Sequence, residues 1–223
     1  MATLDEIRQF MKGHHGVAEL KQDLFVLSMK GFKNSGFFVE FGLMDGITAS
    51  NSYVMERDYN WNGIVCEPAR VFHDQVVANR KCTIDFRAVT DRTGDSVEFK
   101  ETDSNLGLST ILKYSKDMHA ATRKKSKGQI YNVTTVSLID LLDQHNAPHE
   151  IDYISMDTEG SELAILESFD FSRYQVDIFT IEHNWEEETR KKIFNLMESN
   201  GYLRVLTDIS QYDDWYIHNR LIT

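Results

Sequence analysis

Four short stretches of this 223-residue chain carry residues whose types and spacing suit ligand chemistry. The first is Gly36-Phe37-Phe38-Val39-Glu40-Phe41-Gly42-Leu43-Met44-Asp45-Gly46, an apolar, aromatic-rich run closed by Gly42 with a second glycine at Gly46. A strand, a tight glycine turn and a helix over 48–58 would cradle a polar or anionic ligand. Glycine admits close backbone approach, and free N–H groups point at the ligand. The second stretch, Asn62-Gly63-Ile64-Val65-Cys66-Glu67-Pro68, is another apolar run, and it stops at an acid. An acid at the tip of the second strand, about 20 residues past the glycine turn, is how an α/β fold holds the two hydroxyls of a ribose. The third and fourth stretches end in Asp157-Thr158-Glu159-Gly160 and in Glu182-His183-Asn184. Each has a plainer alternative. The turn can exist with no ligand, Glu67 can be a solvated loop carboxylate, Asp157 can cap the next helix, and His183 can be packed.

The elements that would position these residues alternate along the chain. An amphipathic helix over 3–11 opens it, with Thr3 as N-cap and Glu6 three residues on, and a second helix follows over 17–30. Strands are expected over 37–41, 63–66, 81–88, 96–100, 130–136, 151–157 and 176–181, with helices over 48–58, 69–79, 137–145, 163–169 and 186–199. Residues 202–206 and 215–218 read as a closing antiparallel pair. The pattern predicts an α/β sandwich, a mainly parallel sheet with helices on both faces and ligands at the carboxyl ends of its strands. Polar residues past those ends include Gly42 to Gly46, Glu67, Asp85 to Arg87, Asp157 with Glu159, and Glu182 with His183. The stretch 101–128, holding Asn105 to Thr110, is the least regular. It reads either as an insert with substrate contacts or as a connector.

Composition narrows the function. With 41% hydrophobic and 26% charged residues the chain is globular, and its length suits one domain, a core over 35–223 with a helical extension over 1–34. A net charge of −11 argues against a nucleic-acid partner. The one basic cluster, Arg123-Lys124-Lys125-Ser126-Lys127, reads as an exposed loop. Cys66 and Cys82 read as buried free thiols. No pair has Cys-x-x-Cys spacing, so no metal is expected, although Asp157, Glu182 and His183 could converge in space. Residues 1–16 lack the apolar core of a signal peptide, and no apolar run approaches a membrane span, so a cytoplasmic location with no membrane partner is expected.

The blocks Val39 to Gly46, Ser50-Asn51, Trp61 to Pro68, Ser137 to Leu142, Ile151 to Glu162 and Asp214 to Ile217 together resemble the FkbM-type family of S-adenosylmethionine-dependent methyltransferases, over about residues 35–219. The resemblance implies a Rossmann-like class I methyltransferase fold, a seven-stranded, mostly parallel sheet with an antiparallel last strand. It implies S-adenosylmethionine as cofactor. The methionine moiety would lie over Gly42, Asp45 and Gly46, with Glu40 facing its amino group and Ser50 nearby. Glu67, followed by Pro68, would accept the ribose hydroxyls. The adenine would lie near Asp85 and Ala88, with Val89 as an apolar neighbour. Asp157 would sit beside the transferable methyl. The turn departs from many methyltransferases in carrying Leu43 and Met44 where a further small residue is common. The expected reaction is O-methylation of a hydroxyl on a small molecule or sugar, with Asp157, or alternatively His183, removing the proton. An N-methyltransferase, a nicotinamide-dependent oxidoreductase and a non-catalytic cofactor-binding module are the alternatives, and homo-oligomerisation is left open.

Overall fold

Short runs rich in Val, Ile, Phe and Tyr become strands here, because a parallel sheet covered on both faces rewards continuous apolar stretches. The computed structural model of the chain describes residues 2–222. In chain order it runs α1 (Leu4–Gly13), α2 (Gln22–Met29), β1 (Phe37–Phe41), α3 (Tyr53–Tyr59), β2 (Asn62–Cys66), α4 (His73–Asn79), β3 (Thr83–Asp85), β4 (Ala88–Thr90), β5 (Ser96–Lys100), β6 (Thr110–Ile111), α5 (Ala120–Lys125), β7 (Ile130–Ser137), α6 (Leu138–Gln144), β8 (Glu150–Met156), α7 (Glu162–Ser168), β9 (Gln175–Glu182), α8 (Glu187–Ser199), β10 (Tyr202–Val205) and β11 (Asp213–His218).

Seven strands form the main sheet, in the order β10-β11-β9-β8-β1-β2-β3. Neighbours from β9 through β8, β1 and β2 to β3 pair parallel, and β11 runs antiparallel to both β9 and β10. This is the expected class I methyltransferase sheet, last strand reversed. Successive side chains alternate between its faces. Phe38, Tyr153, Ile178 and Trp215 join Ile7 of α1 and Phe25 of α2 in one apolar layer. Val39, Ile154, Phe179 and Tyr216 join Leu141 of α6, Leu166 of α7 and Ile193 of α8 in the other. Phe25 stacks on Trp215 with ring centroids 4.7 Å apart, so α2 lies directly on the reversed strand.

Several local features differ from the sequence reading. The strand expected over 81–88 is broken in two, because Asp85 Oδ1 accepts a hydrogen bond from the Arg87 N–H and curls the chain. β4 leaves the main sheet there and starts a second, four-stranded one, ordered β4-β7-β5-β6. The helix expected from 48 starts only at Tyr53. Asp45 first takes the N–H groups of Ile47 and Thr48, and Glu40 takes those of Asn51 and Ser52. The basic cluster is no exposed loop throughout. It includes the end of α5, and Arg123 turns inward to pair with Asp117 and Glu159. Thr3 and Glu6 form the capping box of α1, and Ser137 caps α6, as their spacing predicts. Both cysteines are free. Cys66 is buried, but Cys82 lies half-buried just before β3 rather than within a strand.

Candidate active site

Sheet register brings the chemistry-bearing residues together. Phe41, at the end of β1, pairs with Cys66 of β2 on one side and Met156 of β8 on the other. The next residue of each strand, Gly42, Glu67 and Asp157, therefore leaves the sheet at the same margin. They line one cavity of about 520 Å³. Gly42 has φ +73°, and a Cβ there would sit 1.8 Å from the carbonyl oxygen of Asp157. Only glycine lets the turn after β1 lie against the loop after β8.

The turn does not hold a row of free N–H groups. Gly42 N–H bonds to Cys66 O, Gly46 N–H to Leu43 O, and Met44 N–H to Glu67 Oε2 at 2.9 Å. The other Glu67 oxygen accepts from Ala69 N–H at 2.8 Å. Glu67 is thus stitched to the glycine turn by backbone N–H groups on both of its oxygens. Burial pushes its carboxyl up to about 7, against the pull of the Ala69, Met44 and Leu43 amides.

Across the cavity lies a cluster of acids. Asp157, Glu159, Glu182 and Asp213 all line it. Burial, then the charges of Glu159, Asp213 and Glu162, raise Asp157 well above the usual carboxylate range. Burial, then the charge of Asp157, does the same to Glu182. Asp213 is pushed up to about 7 by burial, although Gln22 Nε2 donates to it at 2.8 Å. Acids this close cannot all ionise, so protons are shared among them. Asn184 Nδ2 bridges two of them, donating to Glu182 at 2.8 Å and to Glu159 at 3.1 Å. One oxygen each of Asp157, Glu159 and Glu182 lie within 4.8 Å of one another, a spacing that would suit a hard cation as well as shared protons.

Asp157 is not a helix cap, since α7 begins at Glu162 with Ser161 as its N-cap. Glu162 satisfies that loop, accepting from the N–H groups of Thr158 and Gly160 at 2.7 and 3.0 Å. His183 does not line the cavity. It follows Glu182 on an alternating strand and so faces away. Its Nδ1 accepts from Trp185 N–H, its Nε2 lies 3.8 Å from Asp214, and burial lowers its pKa. Ala88, Val89 and Pro68 line the cavity, but Asp85 is turned out of it. Its carboxylate pairs with Arg87 and His145, which outweigh burial and hold its pKa low. Glu40 lines the floor, yet both its oxygens are taken, by Ser50 and Ser52 hydroxyls and the Asn51 N–H. Ser50 is buried behind it, and Asp45 and Gly46 shape the turn without reaching the cavity wall.

Some wall residues escape a reading of strand ends. Asp213 opens β11, and because that strand is reversed its first residue pairs with Glu182, the last of β9. Glu19, in the turn before α2, and Gln22, the first residue of α2, reach the cavity, and Trp185 and Met118 stand half exposed at its rim. Alternation in sign of strand direction is the signal that would have found Asp213; Gln22 had none.

A buried carboxylate at the second strand's end, an apolar slot and an acidic wall share this one margin. Against known families, the methyltransferase FkbM domain matches residues 40–204. The chain belongs to that family. The FkbM domain match runs from the end of β1 through most of β10 and includes Glu40, Gly42, Glu67, Asp157 and Glu182. Membership implies use of S-adenosylmethionine, and the family sets the nicotinamide alternative aside. Among solved structures, the precorrin-6y C5,15-methyltransferase from Geobacter metallireducens GS-15 aligns at 12% identity and TM-score 0.47, over 87% of this chain and 85% of that one. A SAM dependent methyltransferase from Aquifex aeolicus aligns at 10% identity and TM-score 0.41, over 97% and 98%. At such scores neither bears on the acceptor. No curated relative matches the chain. No helix among the described residues is long and apolar enough to cross a membrane.

Proposed function

We propose that this FkbM-family chain is an S-adenosylmethionine-dependent O-methyltransferase acting on a hydroxyl of a small molecule or sugar, and that residues 1–223 work as one domain. The observation that carries the reading is the shared cavity of Gly42, Glu67 and Asp157 at the carboxyl margin of a class I sheet. The residues fit the cofactor's chemistry. Glu67 offers a carboxylate at the cavity wall to accept from ribose hydroxyls, and Ala88, Val89 and Phe72 give an apolar wall for a planar base. The acids beyond favour a cationic sulfonium by Coulomb attraction.

When bound, S-adenosylmethionine supplies a methyl on a sulfonium, and transfer is an in-line displacement. Asp157 would take the acceptor proton as the oxygen attacks, so that the new C–O bond, the broken C–S bond and the transferred proton balance. A carboxyl raised by burial is the stronger base once ionised. Gly42 and the turn behind it hold the donor in place, and alignment of the reacting atoms accounts for much of the rate.

N-methylation is the second reading, and one observation favours it. Among the described cavity-lining residues there is no Lys or Arg, while seven are acids. A cationic amine suits that wall as well as a neutral hydroxyl does. Thermal shift with S-adenosylhomocysteine against NAD, followed by a panel of hydroxyl and amine acceptors, tests both. A rise with S-adenosylhomocysteine alone and turnover on hydroxyls is expected. A rise with NAD alone would end the proposal, and binding without transfer to any acceptor would leave a cofactor-binding module.

A further inference from the structure

The stretch between β5 and β7 forms a wall of the cavity, through Leu106, Leu108, Ile111, Met118 and His119. It meets the loop after β8 at three points. Thr110 Oγ1 donates to the Glu159 carbonyl at 2.9 Å. Gly160 passes so near Tyr114 that a Cβ would lie 2.9 Å from its carbonyl oxygen. The third point is Arg123. Its side chain is 2% exposed, whereas Lys124, Lys125 and Lys127 beside it all face solvent. Arg123 Nε donates to Leu108 O at 2.7 Å, Nη1 to Asp117 at 2.5 Å and Nη2 to Glu159 at 2.5 Å. Two of these acceptors belong to the wall and one to the loop after β8. A planar guanidinium can span such a set, where an ammonium cannot hold the same fork.

Glu159 is the far end of this link. It is a non-glycine residue at φ +61° and sits beside Glu182 through the Asn184 bridge. We propose that Arg123 is a positioning residue: it fastens the wall over residues 101–128 to the catalytic margin and, through Glu159 and Asn184, fixes where Glu182 stands beside Asp157. What the cavity binds rests on the methyltransferase reading, but the fastening is a property of the free chain. Without Arg123, Asp117 and Glu159 are left buried and uncompensated, and breaking one side of such a pair is strongly destabilising. The loss would fall on the seam between wall and loop, so the wall should open while the sheet holds.

Hydrogen–deuterium exchange on the whole chain tests this, with Arg123→Met, Arg123→Lys and the triple variant Arg123→Met/Asp117→Asn/Glu159→Gln. In Arg123→Met, exchange across 103–128 should rise tenfold or more while peptides of β1 and β8 stay protected. S-adenosylhomocysteine affinity should fall at least fivefold. The triple variant, with the charges removed from both sides, should recover half or more of the protection, and Arg123→Lys should fall between. A triple variant as open as Arg123→Met would mean that the opening does not come from the unpaired charges of Asp117 and Glu159, and would overturn the proposal. So would an Arg123→Met chain as protected as the wild type. Should Arg123→Met fail to fold, a folded and protected triple variant supports the fastening and an equally unfolded one refutes it. Failure of the wild type to bind S-adenosylhomocysteine would sink the functional reading while leaving the exchange comparison intact.

Discussion

Cofactor affinity should depend on pH through Glu67. In the free chain its carboxyl is pushed up to about 7, because it is buried behind the glycine turn. Two ribose hydroxyls can donate to it fully only when it is ionised, and each charge-assisted bond is worth roughly 1.5–3 kcal/mol. At about 1.4 kcal/mol per pH unit, two such bonds would pull its pKa in the complex below 5. Binding therefore expels a proton at any pH between the two values. From pH 7 to pH 5 the affinity should fall by about fivefold over the first unit and nearly tenfold over the second, roughly fiftyfold in all. S-adenosylhomocysteine is the right probe, since it keeps the ribose and lacks the sulfonium charge to which the other acids respond. Titration calorimetry at pH 5, 6, 7 and 8, each in two buffers of different ionisation heat, gives both affinity and protons released. Glu67→Gln should bind more weakly at pH 8, by on the order of tenfold or more, and should lose the slope below pH 7. A wild-type affinity flat over this range, or a slope that survives in Glu67→Gln, would refute the reasoning. Asp213, also near 7, would then be the group to suspect.

Other outcomes follow from the same geometry. The ligand-free chain should be less stable at pH 8.5 than at pH 5.5. Glu67 and Asp213 are raised from 4.5 and 3.8 to about 7, so the folded chain holds more protons across that window and loses stability as pH rises through the folded values. By pKa linkage each contributes about 2 kcal/mol between those two pH values, and a melting temperature that rises with pH would contradict this. Asp157→Asn should lower turnover on any acceptor found by about 10²–10⁴-fold while leaving S-adenosylhomocysteine affinity within a few-fold; near-normal turnover would remove Asp157 as the base. Gly42→Ala should cost several kcal/mol, because its Cβ would lie 1.8 Å from the Asp157 carbonyl oxygen, and an unchanged melting temperature would show that the two loops do not touch. In an acceptor panel, neutral and cationic compounds should be turned over in preference to phosphorylated or carboxylated ones, and preference for an anion would contradict the acidic wall.

The central sheet was legible because its strands are buried on both faces, which leaves unbroken apolar runs such as Phe37 to Phe41 ending at glycine or acid. Convergence of Gly42, Glu67 and Asp157 followed from strand direction alone. What could not be read were contacts made by polar side chains over long separations. Asp85 was placed at the site because it lies near the end of the third strand and the family resemblance puts the adenine there, but Arg87 and His145 hold it elsewhere. His183 was placed there because it follows β9, but alternation turns it behind Glu182. The basic cluster read as solvated because four of its five residues are cationic, and nothing local shows that only Arg123 has buried acids to meet.

The stacking of Phe25 on Trp215 has a practical consequence for anyone trimming this protein. Both rings lie outside the span 40–204 that the family match covers. A fragment cut to that span would lose α1, α2 and β11 together, and with them Gln22 and Asp213 of the cavity. It would bare one side of β9, an unpaired edge of the kind that recruits other chains. Helix α2 and the reversed strand β11 clasp one another here, and a fragment lacking both should precipitate rather than work.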